Sequence, residues 1–160
     1  MMGFQKKKLY LILTLLWLGV IWGHSLMPAE LSTQESGAVF AFLQRIFPFL
    51  THTLVRKLGH FSEYTVLGIL LSFTARAWGS LAPARLQAHP FWVNSGLPAA
   101  SGLLAACVDE TIQLGVEGRS GEIRDVLIDF GGVILGSFLA AGWTALRARK
   151  KLDGPMKSES

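Results

Sequence analysis

Lys57, His60, Glu63 and Tyr64 open one apolar stretch of the chain; Asp109, Glu110 and Gln113 close another, and Arg119, Asp125 and Asp129 lead into a third. Three kinds of chemistry suit such a set. His60 with Glu63 or Asp109 could act as a general acid/base pair in hydrolysis or transfer. His60, Glu63, Asp109 and Glu110 could instead hold a divalent metal, since mixed nitrogen and oxygen ligation suits Zn or Mn; the i, i+3 spacing of His60 and Glu63 is compatible with this. In the third reading the site binds without reacting. Lys57, Arg119 and Gln113 would hold an anionic or amide-rich group, with Tyr64, Asp125 and Asp129 completing the binding set. No motif supports a serine or cysteine nucleophile, and Ser62 is merely adjacent to the set.

The plain alternative is structural. Lys57 and Glu63 could be interface charges, Asp125 could favour a helix N-terminus through the macrodipole, and Arg119 could pair with Glu117 on a solvated loop. That account suits Glu117, Glu122 and Arg124. It suits Glu63, Asp109, Glu110 and Asp129 less well, because these carboxylates lie within or against apolar helix. Charges at such depth are costly unless compensated. Lys57, His60 and Arg119 are the cations at hand.

The elements that must position these groups follow from composition. Of the 160 residues, 51% are hydrophobic and only 16% charged, which excludes disorder and points to a membrane protein with one domain. The net charge is +4, but the basic residues gather in short blocks beside apolar spans, Lys6 to Lys8 and Arg147 to Lys151. Such blocks read as topology signals and contacts to anionic lipid rather than to nucleic acid. Cys107 is the sole cysteine, so no internal disulfide forms; within its apolar run it reads as a small packed hydrophobe.

Four spans are expected, at about 9–26, 58–78, 91–113 and 123–146. The first carries a Gly23-His24-Ser25 sequence that loosely resembles a signal-peptide cleavage site, but an uncleaved anchor fits equally with further spans following. Between the first two spans, Pro28 to Ser32 is turn-like. Val39, Phe40, Phe42, Leu43, Ile46 and Phe47 then recur at helical spacing, which predicts a short interfacial helix. Arg76 is placed to snorkel towards the interface. Pro83 and Pro90 punctuate the loop 79–89, Pro98 is a site for a kink, and Gly115, Gly118 and Gly121 supply turns in the loop 114–122. Gly132, Gly136 and Ala140 form a small-xxx-small stripe for close helix packing. The domain runs over 1–152, and the polar residues 153–160 are expected to be a disordered cytoplasmic tail.

With both termini inside, ten of the 15 Lys and Arg residues fall on inner segments and five on outer ones. The positive-inside rule then gives an N-in, C-in protein with its polar set near the outer leaflet. Helical periodicity places Lys57, His60 and Tyr64 on one face with Glu63 on its flank, and Asp109 with Gln113, and Asp125 with Asp129, one turn apart.

At these residues the chain resembles the VanZ-like family, named for a teicoplanin-resistance protein of Gram-positive bacteria. The matching segments are Lys57-Leu58-Gly59-His60-Phe61-Ser62-Glu63-Tyr64-Thr65-Val66-Leu67-Gly68, Asp109-Glu110-Thr111-Ile112-Gln113, Gly118-Arg119, and Asp125-Val126 followed by Gly132 and Gly136. Asp129 departs from the pattern, which leads one to expect asparagine there. The resemblance implies a small multi-pass protein of the bacterial cytoplasmic membrane, strongest over 57–136. It also implies a link to teicoplanin, a lipid-tailed glycopeptide acting outside that membrane. The expected partners are membrane lipids and a lipid-linked cell-wall precursor or lipoglycopeptide. An intramembrane enzyme acting on a lipid or lipid-linked glycan, metal-assisted or not, and a non-catalytic accessory subunit remain as alternatives. Cofactor, metal and oligomeric state stay open.

Overall fold

A computed structural model describes residues 4–81, 84–87 and 91–152. Its helices are α1 (Phe4–Ser25), α2 (Ala29–Ile46), α3 (His52–Trp78), the single turn α4 (Ala84–Gln87), α5 (Leu97–Leu114) and α6 (Ile123–Leu152). No strand occurs among the described residues, in keeping with the all-α expectation. Among the described residues, two helices are long and apolar enough to cross a membrane, Phe4–Ser25 and the stretch Ile123–Lys150 of α6. The 27 residues of α3 give a length of roughly 40 Å, but Arg56, Lys57, Glu63 and Arg76 interrupt its apolar character.

Several boundaries differ from those expected. The turn-like Pro28 to Ser32 is the start of a helix: Pro28 caps α2, and its carbonyl accepts the Ser32 N–H at 3.1 Å. The interfacial helix therefore has 18 residues rather than a short run beginning near Val39. α3 begins at His52, six residues before the expected span, because the Thr51 hydroxyl accepts the Leu54 N–H at 3.2 Å. Pro98 sits in the first turn of α5, and the irregularity expected at it is a π-helical turn over Trp92–Gly96 that leads straight into that helix. In the loop after α5 only Gly118 has positive φ, 73°. The tail 153–160 and residues 82–83 and 88–90, which include Pro83 and Pro90, lie outside the described residues.

α3 is the central helix, packed along α6 and flanked by α1 and α5. Small residues permit the α3–α6 contact. A Cβ on Gly132 would lie 2.5 Å from the Phe61 carbonyl oxygen, and one on Gly136 would collide with the Thr65 carbonyl and stand 2.9 Å from the Ile69 amide nitrogen. The expected small-residue stripe thus faces a neighbouring helix.

The surface is apolar and the interior partly polar. Leu16, Leu104, Leu127 and Phe138 are exposed, whereas Thr14, Ser72, Asp109, Glu110, Gln113 and Asp129 are buried. Cys107, expected to be packed, is exposed among the outward residues of α5. At one end of the bundle, Trp78 Nε1 donates to the Lys7 carbonyl at 3.1 Å. There Arg76 does not snorkel outwards. Its guanidinium donates to Thr144 Oγ1 at 2.8 Å, the Ala140 carbonyl at 3.2 Å and Asn94 Oδ1 at 3.2 Å, joining α3, α6 and the π turn. The opposite end holds the ionisable set.

Candidate functional site

Asp109, fully buried on α5, stands at the centre of that end. Its Oδ2 accepts from Gln113 Nε2 at 3.0 Å, one helical turn on, and lies 3.8 Å from His60 Nδ1 on α3. Gln113 Nε2 also reaches Glu110 Oε1 at 3.3 Å. The other Glu110 oxygen accepts the backbone N–H of Glu122 at 2.8 Å, which fastens the loop after α5 back onto the helix. Gly121 makes this approach possible, since a Cβ there would lie 2.8 Å from the Glu110 carbonyl oxygen. From α6, Asp125 pairs with Lys57 of α3, and Glu122 Oε2 lies 3.8 Å from the same ammonium. Asp129, one turn deeper, is 1% exposed, and neither of its carboxylate oxygens has a hydrogen-bond partner among the described residues. His60 Nδ1 and Asp109 Oδ1 are likewise unpartnered. Ligand atoms of His60, Asp109 and Asp129 all lie within 4.8 Å of one another.

A cavity of about 10 Å³ opens among these groups, lined by Arg56, Lys57, His60, Gln113, Asp125 and Asp129, among others. That is room for one water or one ion.

Three of the expected residues sit elsewhere. Glu63 turns away from His60, and its Oε1 lies 2.7 Å from His24 Nδ1 at the end of α1. Its backbone carbonyl takes the Trp17 indole N–H at 2.9 Å. Helical spacing put Glu63 on the flank of the shared face, and that flank meets α1 rather than α5. Tyr64 is fully buried and its hydroxyl donates to the Ala105 carbonyl at 3.2 Å, so it ties α3 to α5 within the core. Arg119 pairs with backbone, not with Glu117. Nε donates to the Met27 carbonyl at 2.8 Å and Nη2 to the His24 carbonyl at 3.0 Å. A cation there satisfies carbonyls at and just beyond the C-terminus of α1. Burial pulls its guanidinium below the usual value, and nearby Arg56 adds to that.

His24, Ser25 and Arg56 join this end without having been singled out for it. His24 gave a signal, an imidazole at the end of an apolar span, but it stood inside a stretch resembling a cleavage site. The Ser25 hydroxyl is fully buried beside Asp109 but falls outside hydrogen-bond geometry. Ser62 is no nucleophile here: its hydroxyl donates to the Leu58 carbonyl of its own helix at 2.8 Å.

A helical bundle with an apolar exterior and an ionisable cluster buried at one end is the architecture of a small membrane protein with an internal polar site. The model of the VanZ/LLP1 family matches residues 10–145, and the chain belongs to that family. The match reaches from α1 to α6, beyond the segments 57–136 that carry the resemblance in sequence. No curated protein and no solved structure matches the chain. Family membership and the two apolar helices together place it among membrane proteins.

Proposed function

We propose that the chain is a four-span protein of the bacterial cytoplasmic membrane whose polar site faces the outer leaflet. There it binds the polar group of a lipid-linked envelope molecule or lipophilic glycopeptide. α1, α3, α5 with its preceding π turn, and α6 serve as the spans, and α2 lies in the headgroup layer with Phe42 and Ile46 outwards. The excess of basic residues on the proposed inner segments supports this orientation.

The observation that carries the reading is the convergence of α3, α5 and α6 on one network. Asp109, Gln113 and Glu110 hold the loop at Glu122, and Lys57 joins Asp125. Buried acids next to Lys57, Arg56 and Arg119 at one end of a lipid-facing bundle suit recognition of a charged headgroup. The cavity admits an ion or a water, so a large ligand engages it from outside, through one polar group at its mouth.

The test is tolerance of a lipoglycopeptide in a susceptible Gram-positive host, with expression held equal. Wild type should raise tolerance, and Asp109→Asn and Lys57→Ala should abolish the gain. Wild-type protein should carry an anionic lipid-linked molecule through purification, visible by mass spectrometry, and the variants should not. Full tolerance in both variants would sink the reading. An enzymatic role draws on the 3.8 Å approach of His60 to Asp109; conversion of the co-purified molecule by wild type but not by His60→Gln would favour it.

A further inference from the structure

Two of the cations at this end are already engaged: Lys57 is held by Asp125, and Arg119 by two backbone carbonyls. Glu110 has its own partners in the Glu122 N–H and Gln113. Asp109 and Asp129 remain, 0% and 1% exposed, with three of their four carboxylate oxygens unpartnered among the described residues. His60 presents an unpartnered Nδ1 to the same space. Two buried carboxylates that no Lys or Arg side chain contacts directly are expensive in a low-dielectric interior.

We propose that His60, Asp109 and Asp129 bind one divalent transition-metal ion, Zn(II) or Mn(II), between α3, α5 and α6. The charges balance: two carboxylates and a neutral imidazole offset a dication. Distances are close to what an ion needs. In tetrahedral coordination, ligand atoms about 2.1 Å from one ion lie roughly 3.4 Å apart. Three atoms within 4.8 Å of one another therefore need side-chain adjustments of at most about 1.4 Å. Gln113 supplies outer support, since its Nε2 donates to Asp109 Oδ2 and fixes that carboxylate. Three protein ligands leave a coordination position free. It would take an oxygen of water, phosphate or carboxylate through the small cavity beside His60 and Asp129. Glu63 and Glu110, ligand candidates from spacing alone, are turned to His24 and to the loop and do not belong to the set.

This inference goes beyond the ligand-binding reading and does not depend on it, because the probe is the metal alone. Full-length protein in detergent is stripped with chelator and titrated with Zn(II) against a chromophoric competitor, and with Mn(II) by electron paramagnetic resonance. One equivalent of one of the two ions should bind, and should raise the Tm of wild type. Asp129→Asn, which keeps the shape, and His60→Gln should each weaken binding at least tenfold and remove the Tm rise. Gln113→Ala should weaken it 10- to 100-fold, the usual range for an outer partner. Glu117→Gln, on an exposed loop residue, should bind as wild type does. Should Asp129→Asn fail to give a monodisperse protein, wild-type stoichiometry and His60→Gln decide. Neither ion binding wild type above a tenth of an equivalent would overturn the site, as would undiminished binding by Asp129→Asn or His60→Gln. Drug tolerance in cells is a separate readout, so loss of the metal site leaves the proposed function standing or falling on its own test.

Discussion

Arg119 and Glu122 sit three residues apart in one loop and should respond to mutation in opposite ways. Arg119 donates two hydrogen bonds to backbone at the end of α1, and its Nη1 is buried. Bonds from a charged donor contribute about 1.5–3 kcal/mol each. Arg119→Ala should therefore lower unfolding stability in detergent by roughly 3–6 kcal/mol, and impair function at least as much as Asp109→Asn. The Glu122 side chain is 51% exposed, and its link to Glu110 runs through the backbone N–H, which any residue but proline retains. Glu122→Gln should change stability by less than about 0.5 kcal/mol. A loss in Glu122→Gln equal to that in Arg119→Ala, measured by thermal unfolding, would break this account. The depth of each ionisable residue was legible from its place along an apolar stretch. Its partner was not, because helical spacing assigns a face and says nothing of which helix lies across it. Glu63 finds His24, and Arg119 finds carbonyls with no signature in side-chain sequence. Asp129 was legible as a residue out of keeping with its surroundings, and the structure adds how completely it is enclosed.

At the scale of elements, the contact between α3 and α6 rests on glycine. Gly136 has the Thr65 carbonyl and the Ile69 amide where a Cβ would go, and both are backbone that cannot rotate aside. Gly142 on the same helix has nothing within 4 Å of that position. Gly136→Leu should cost about 1–3 kcal/mol or prevent assembly. Gly142→Ala should be neutral or should stabilise by up to about 1 kcal/mol through helix propensity. Leu135, 42% exposed on the outer surface, should tolerate alanine better than Gly136 tolerates leucine. Equal melting temperatures for Gly136→Leu and Leu135→Ala in detergent would place the stripe against lipid instead. The stripe was readable because its spacing of four is itself the packing rule. Helix ends were less so. The start of α2 depends on Pro28 capping rather than ending a structure, and that of α3 on a threonine that also suits a turn.

For the whole molecule, the two ends differ in chemistry. One end gathers Lys7, Arg76 and Arg147 around a cavity of about 690 Å³ with Tyr10, Phe73 and Trp143, a basic and aromatic rim suited to the interface of an anionic leaflet. The other carries the buried acids with their compensating cations. α1 runs antiparallel to α3 and α6, which are parallel to each other, so the N-terminal end of α1 meets the C-terminal ends of α3 and α6 at the basic rim. If that rim is cytoplasmic, a reporter fused after Lys157 must stay inside and one inserted near Gln34 must be exported. Reversing the basic bias offers a sharper test. Lys6, Lys7 and Lys8 changed together to glutamine should raise the inverted fraction, because the inner excess falls from ten against five to seven against five. Labelling of an added cysteine near Gln34 by a membrane-impermeant reagent in intact cells should fall in that variant. Complete labelling in both proteins would mean that the basic residues near the C-terminus suffice to set orientation. Labelling of neither, with a tail reporter exported, would turn the acidic end to the cytoplasm and remove an external ligand from the proposal altogether.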